Sequence, residues 1–353
     1  MSEPPTIERP RAVLVGVQFP RVTEGEQRSS LDELERLAET LGFAVIGRVV
    51  QRRKSLAAGV VLGEGKLKEL AKWTGGTGVV PTFHKTSSKK KADEEGDEVV
   101  TDEADAADET SAGAEPGAGP GAGPPAGAGL ASAVIVDHDL SPTQQRSLEK
   151  ATGAEVLDRT SVILAIFHRH ARTREARMQV EIARLSYLAP RLREGGGGGD
   201  RQRGGVGGRG AGESTMELDR RKIRDRIAEL KHELASVEHS AQTRRAGRTE
   251  VVTVALVGYT NAGKSSLMRA LTGSEIYVSD KLLATLDTTV RALQPRTNPA
   301  ILVSDTVGFI KKLPHDLVAS FRSTLEEARD AALLLHIVDA AAAAWRSHMA
   351  VTS

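Results

Sequence analysis

The fold of the chain is decided by one stretch of sequence, Gly258-Tyr259-Thr260-Asn261-Ala262-Gly263-Lys264-Ser265. Its spacing, G-x-x-x-x-G-K-S, is typical of a loop that wraps phosphate groups with backbone N–H groups. An apolar, β-branched run from Val251 to Val257 precedes the loop, and Ser266-Leu267-Met268 follows as the start of a helix. A loop between a strand and a helix N-terminus is where this mechanism operates. The stretch therefore predicts a phosphate site on an α/β fold.

Further residues of a nucleotide site follow at suitable distances. Lys264 is expected to reach the β- and γ-phosphates, and the Ser265 hydroxyl to bind Mg²⁺. Asp305-Thr306-Val307-Gly308 ends a second apolar run, so Asp305 is expected to hold Mg²⁺ through water and Gly308 to bring its N–H to the γ-phosphate. Between the phosphate loop and Asp305 lies Leu283-Ala284-Thr285-Leu286-Asp287-Thr288-Thr289, in which one threonine is expected as a further Mg²⁺ ligand. The segment contains several threonines, and the sequence pattern does not show which of them binds the metal.

The composition predicts a cytoplasmic protein of at least two domains. The chain has 353 residues and no cysteine, which excludes disulfides and cysteine-ligated metals. No apolar run approaches the roughly 18 residues needed to span a membrane. The nine histidines lack metal-ligand spacing and are expected at the surface, so Mg²⁺ is the one metal expected.

The net charge of +1 hides an asymmetry. Residues 89–115 contain three lysines and eleven acidic side chains, a charge of −8, so the rest of the chain carries +9. A basic ordered part favours a nucleic-acid partner, although a solvated basic surface gives the same charge.

Residues 1–190 are predicted to form a parallel α/β domain together with a first linker helix. Ala12 to Val17 and Ala133 to Val136 are apolar strand runs, and Leu31, Leu34, Leu37 and Leu41 have helical spacing. Ser141-Pro142-Thr143-Gln144 predicts a capping box. Residues 84–130 are Lys-rich, then acidic, then rich in Ala, Gly and Pro, so we expect a disordered insertion in a loop of this domain.

A helical hairpin is predicted between the two domains. The helix at 173–190 places Met178, Ile182 and Leu185 on one face, and a Gly/Arg-rich loop follows at 191–212. In the coiled-coil helix at 213–248, Ile223, Ile227, Leu230, Leu234 and Val237 form a seam. The loop favours RNA binding over a simple linker, because flexible Arg-rich segments order on RNA.

Many motifs in order resemble the HflX family of translational GTPases over most of the chain. In the first half and linker they are Leu157-Asp158-Arg159-Thr160, Ala171-Arg172-Thr173-Arg174-Glu175-Ala176, Gly210-Ala211-Gly212-Glu213 and Glu217-Leu218-Asp219-Arg220-Arg221. In the second half they are the phosphate loop, Ala284-Thr285-Leu286-Asp287, Asp305-Thr306-Val307-Gly308-Phe309-Ile310 and Leu313-Pro314-His315-Asp316-Leu317.

The resemblance implies GTP as the nucleotide and Thr285 as the switch I ligand of Mg²⁺. Lys264 and Thr285 become the catalytic residues, and the nucleotide contacts become Gly258, Tyr259, Thr260, Asn261, Ala262, Gly263, Lys264, Ser265, Leu283, Ala284, Thr285, Leu286, Asp287, Asp305, Thr306, Val307 and Gly308. It also implies binding to the large ribosomal subunit and its RNA, with splitting or rescue of stalled ribosomes. The chain is expected to be a monomer. Phe309 stands where Ras-like enzymes place a water-orienting Gln, so intrinsic hydrolysis should be slow.

The end of the sequence departs from the family after Leu333 to Ala340. Residues 251–353 are expected to be a G domain truncated before its guanine-reading N-K-x-D motif, with the strand at 333–338 as an apolar open edge. GTP rather than ATP therefore rests on the resemblance. Two alternatives are a truncated ribosome- or RNA-binding protein without effective turnover, and an ATP-using P-loop enzyme.

Overall fold

The computed structural model describes residues 9–56, 61–80, 129–192, 215–246, 251–274, 282–283, 289–313, 317 and 328–352. The predicted insertion at 84–130 lies almost wholly outside these ranges, as do Thr285 and most of the Gly/Arg-rich loop. The described part contains two sheets, and the architecture is the predicted mixture of parallel α/β structure, a helical hairpin and a P-loop sheet.

The first sheet is wholly parallel and has the strand order β2-β1-β3-β4. Helices alternate with its strands, as short apolar strand runs separated by amphipathic segments require. The elements are β1 (Arg11–Gln18), α1 (Glu24–Leu41), β2 (Ala44–Arg52), α2 (Glu64–Thr74), β3 (Ala133–Val136), α3 (Pro142–Thr152) and β4 (Glu155–Asp158).

Local chemistry sets the helix ends of this sheet. The predicted capping box of α3 is confirmed, since Ser141 accepts a hydrogen bond from the Gln144 N–H and the Gln144 side chain accepts one from the Ser141 N–H. Thr23 and Glu26 form a second box at the start of α1. These boxes fix where α1 and α3 begin.

Three α-helices continue the chain: α4 (Arg159–His170), α5 (Arg174–Leu188) and α6 (Thr215–Ala246), with a 3-10 turn at Ala189–Arg191. Arg174 pairs with Glu233 and Arg226 with Glu181, so α5 and α6 run antiparallel. Leu230 packs with Met178 and Ile182, and Ile227, Leu234 and Val237 lie against this cluster. The predicted hairpin is confirmed, with four of its five seam residues in the contact.

The second sheet has the strand order β6-β7-β5-β8, in which β6 alone is antiparallel to its neighbour. Its edge strand carries Leu333 and Leu334, each 52% exposed, which is the apolar edge expected from the sequence. The elements are β5 (Val252–Gly258), α7 (Lys264–Thr272), β6 (Thr289–Ala292), β7 (Ile301–Asp305), β8 (Leu333–Ile337) and α8 (Trp345–Thr352).

One apolar core connects the two sheets. It contains side chains of α1 and α4, such as Leu34 and Ile163, together with Tyr259, Leu283 and Ile310 from the second half of the chain. Burial of this surface supplies the non-directional part of the attraction between the halves. None of the helices in the described ranges is long and apolar enough to cross a membrane.

His138 contradicts the expectation that the histidines lie at the surface. It follows β3, its ring meets Phe19 edge-on with the centroids 5.1 Å apart, and its Nδ1 is buried without a partner among the described residues. Burial, aided by the charge of Lys312, lowers the pKa of His138 to about 4. The neutral ring is therefore the form that the fold accepts.

We expect His138→Gln to flatten the acid branch of the stability curve. The pKa of His138 is near 6.5 in the unfolded chain and about 4 in the folded protein. Between these two pH values the unfolded chain binds a proton that the folded protein does not bind, so the free energy of unfolding decreases as the pH falls from 6.5 toward 4. Between pH 7 and pH 4 the free energy of unfolding should drop by up to about 3 kcal/mol more in the wild type than in the variant. Urea unfolding at both pH values measures this difference. The exposed His168→Gln control should follow the wild type, and a variant as acid-sensitive as the wild type would contradict the assignment.

Candidate phosphate-binding site

The glycine-rich loop lies where β5 ends and α7 begins. Gly263 is the N-cap residue of α7 and has a φ of 93°, a left-handed conformation that favours glycine. Within the described part of the chain, no side chain caps this helix end. The N–H groups in the first turn of any α-helix lack an acceptor within the helix, so this helix N-terminus and its dipole favour an anion.

Lys264 is held in place inside the loop by two backbone carbonyls. Its Nζ donates to the oxygen of Gly258 at 3.1 Å and to that of Tyr259 at 2.8 Å. An ammonium group has three donors, so the described residues leave one of them to a phosphate oxygen. Burial lowers the pKa of Lys264 to about 8, against the opposing charge of Asp305. A phosphate group would therefore stabilise a cation that the fold alone destabilises.

Ser265 and Asp305 meet at the position predicted for the metal. The Ser265 hydroxyl donates to Asp305 Oδ2 at 2.6 Å, while the buried Oδ1 has no hydrogen-bond partner among the described residues. Burial raises the pKa of the Asp305 carboxyl above its ordinary value. Hydroxyl and carboxylate oxygens are the donors that Mg²⁺ prefers, and Asp305 Oδ1 is not hydrogen-bonded by any described residue, so this pair fits the metal.

Residues 305–312, here named the switch II segment, lie directly on the phosphate loop. The Thr260 N–H donates to the Phe309 oxygen at 2.7 Å, and the Phe309 N–H donates to the Gly258 oxygen at 3.1 Å. A Cβ atom on Gly308 would lie 2.6 Å from the Thr260 Cα and 3.0 Å from the Lys264 Nζ. Only glycine permits this approach, which explains the glycine of the D-x-x-G motif in physical terms.

The segment predicted to supply a threonine ligand is described at its two ends, Leu283 and Thr289, and Thr289 pairs with Asp305 across strands β6 and β7. Leu283 donates its N–H to the Thr260 Oγ1 at 2.8 Å, and its carbonyl accepts from the His170 Nδ1 at 2.8 Å. Leu283 is buried and has a φ of 57°, an unusual conformation for a branched side chain. The remaining predicted contacts, Ala284, Thr285, Leu286 and Asp287, lie outside the described residues.

The sequence did not reveal how the loop residue Tyr259 is used. Its hydroxyl donates to Glu33 of α1 and accepts from the Lys311 N–H at 2.9 Å, and its ring stacks on that of His348 with the centroids 4.0 Å apart. Glu33 interrupts no apolar spacing in α1, so periodicity gave no signal for it. Arg159, which pairs with Glu33, was marked in the sequence only by its place in the motif Leu157-Asp158-Arg159-Thr160.

Three family models together match most of the chain. The model described as GTP-binding GTPase N-terminal matches residues 28–82 and 126–168, and the GTP-binding GTPase Middle Region matches 170–248. The model described as 50S ribosome-binding GTPase matches 253–351. The last match contains the phosphate loop and the switch II segment.

Curated relatives and a solved structure were also compared with the chain. It is 58% identical over 343 residues to the GTPase HflX of Gluconacetobacter diazotrophicus, covering 97% of this chain and 72% of that protein. It is 38% identical to the GTPase HflX of Escherichia coli, covering 94% of this chain and 65% of that protein. A GTP-binding protein from Sulfolobus solfataricus in complex with GDP has a TM-score of 0.44 and 21% identity, covering 97% of this chain and 74% of that chain.

The resemblance read from the motifs is thus confirmed by independent matches. Because three family models follow one another along it and a 58% identical relative covers 97% of it, the chain belongs to the HflX family of GTPases, with GTP as nucleotide and Mg²⁺ as metal.

Proposed function

We propose that this GTPase binds the large ribosomal subunit in the cytoplasm, as a monomer, and helps to split or rescue stalled ribosomes. The observation that carries the proposal is the match of residues 253–351 to a family described as 50S ribosome-binding GTPases. The charge distribution supports it, since the chain outside residues 89–115 carries +9. Ribosomal RNA is a polyanion that attracts such a surface.

The helical hairpin is the proposed RNA-contacting element. Helix α6 packs against α5 along its apolar seam, and its other faces expose several cations, namely Arg221, Lys222, Arg224, Arg226 and Lys231. The Gly/Arg-rich loop joins the two helices and carries Arg201, Arg203 and Arg209. A basic loop at the end of a rigid hairpin is suited to reach into RNA, and we propose the peptidyl-transferase region as its target.

The proposed reaction is transfer of the γ-phosphoryl group of GTP to water. Lys264 would stabilise charge on the phosphates, and Ser265, Thr285 and Asp305 (through water) would hold Mg²⁺, which supplies further positive charge there when bound. The Phe309 side chain has no polar group to orient the attacking water. That group has to come from elsewhere in the chain or from the ribosome, so turnover should rise when ribosomes bind.

Lys264→Ala tests the assignment of the phosphate loop. Removing a buried ammonium that is hydrogen-bonded to phosphate should weaken GTP binding about 30- to 1000-fold. Equilibrium titration of a fluorescent GTP analogue in the presence of Mg²⁺ measures the change. Arg269→Ala, which removes an exposed charge from the same helix, should bind like the wild type. Unchanged affinity in Lys264→Ala would reject the assignment.

Changing Arg201, Arg203 and Arg209 to serine tests the contact with ribosomes. We expect less protein to pellet with large subunits, and the slope of log affinity against log salt to fall by up to about three, one for each lost phosphate contact. The matched variant with lysine at the three positions keeps the charge and should retain most of the binding. Equal pelleting of the serine variant and the wild type would exclude the loop as the contact.

A further inference from the structure

A buried set of charges connects the first sheet to the GTPase site. The Arg159 guanidinium, at the start of α4, donates from Nη1 to Asp137 Oδ1 at 2.8 Å and pairs through Nη2 with Glu33 of α1. We name Glu33, Asp137 and Arg159 the charge triad. Its three side chains are at most 4% exposed. Two carboxylates around one guanidinium leave one negative charge, and a buried charge is costly until another cation compensates it.

Lys312 of the switch II segment supplies that cation. Its Nζ donates to the Asp137 Oδ2 at 2.9 Å, to the Asp137 carbonyl at 3.0 Å and to the Ser30 hydroxyl at 3.2 Å, which uses all three donors. Burial alone would raise the pKa of Asp137, but the charges of Arg159 and Lys312 lower it below its ordinary value. The charged form of Asp137 is therefore the favoured one, and the Lys312 side chain reaches it from a half-exposed position.

The backbone conformation of Lys312 indicates that its contacts hold the residue in place. Its φ is 55°, a left-handed conformation that a lysine rarely adopts without compensating contacts. The preceding residue is held as well, since the Lys311 N–H donates to the Tyr259 hydroxyl and its carbonyl accepts from the Arg159 Nη2 at 3.4 Å. Tyr259 in turn donates to Glu33. The charge triad thus holds both the phosphate loop and the switch II segment.

The segment in this position closes the space that a third phosphate needs. A phosphate oxygen hydrogen-bonded to an ammonium lies at about 2.8 Å from its nitrogen. The Gly308 backbone lies against this position, since a point one carbon–carbon bond from its Cα is 3.0 Å from the Lys264 Nζ, and the Thr260 N–H is already bonded to the Phe309 oxygen. The segment has to withdraw before a γ-phosphate can bind beside Lys264, whereas a diphosphate ends one group earlier.

We propose that Glu33, Asp137 and Arg159 are positioning residues for the GTPase site, and that docking of Lys312 on Asp137 and binding of the γ-phosphate exclude each other. Any free energy that the Lys312–Asp137 contact contributes to the closed segment is subtracted from GTP binding and not from GDP binding. By linkage, GTP loosens the contact between the two halves to the same extent. Through this coupling the charge triad responds to the γ-phosphate, although its residues lie outside the nucleotide pocket.

The test measures equilibrium affinities of a non-hydrolysable GTP analogue and of GDP for the full chain with Mg²⁺. Lys312→Met should raise affinity for the GTP analogue about tenfold, within the usual range of coupling between sites, and leave GDP affinity within about twofold. Lys311→Met is the matched control, because it removes a neighbouring charge whose side chain is not part of these contacts. It should leave the ratio of the two affinities unchanged.

A double-mutant cycle separates the specific contact from general loosening. Asp137→Asn should shift the ratio in the same direction as Lys312→Met, and the double variant should shift it no further than the larger single change. Fully additive shifts, an unchanged ratio in Lys312→Met, or equal gains for both nucleotides would overturn the proposal. Ser30→Ala, which leaves the triad intact, should give a smaller shift of the same sign. Ribosome binding is not used in any of these measurements, so they stand apart from the proposed function.

Discussion

The arrangement of the molecule depends on one constraint, which is that the buried positive charge of Arg159 must be neutralised by carboxylates. A guanidinium with 1% of its side chain exposed requires carboxylates at fixed positions, and Glu33 and Asp137 come from a different helix and from the end of a strand. Helices α1 and α4 and strand β3 are thereby fixed relative to one another. The negative charge that remains draws Lys312 into contact, so the electrostatic balance of the first half is completed only by the second half.

Apolar burial and charge contribute differently to this contact. The shared core, with Leu34 and Ile163 on one side and Ile310 and Leu283 on the other, attracts without specifying a register. The polar contacts add direction, since Lys312 forms an ion pair with the Asp137 carboxylate and the Tyr259 hydroxyl donates a hydrogen bond to the Glu33 carboxylate. Buried charges are weak sources of net stability but can define which packing is adopted. The polar contacts therefore define the one register in which the two halves pack.

The sequence predicted features whose causes are local and missed those whose causes are not. The phosphate loop, the Asp305 turn, the Ser141 capping box and the α5–α6 seam each follow from residues close in sequence or from one helical period. Glu33 and Arg159 are 126 positions apart, and neither is unusual until the fold brings them together. The surface position predicted for His138 was wrong for the same reason, because its ring packs against Phe19, which follows β1 and is far away in sequence. Motif resemblance marked Arg159 without giving a physical reason for it.

Helix α6 gives the molecule a lever. Its 32 residues extend about 48 Å at 1.5 Å per residue, and it leads into the strand that ends in the phosphate loop. A tilt of about 10° at the end near that strand would displace the far end by about 8 Å, if the helix stays straight. The length of the helix alone thus turns a small change of angle at one end into a displacement as large as a nucleotide base at the other.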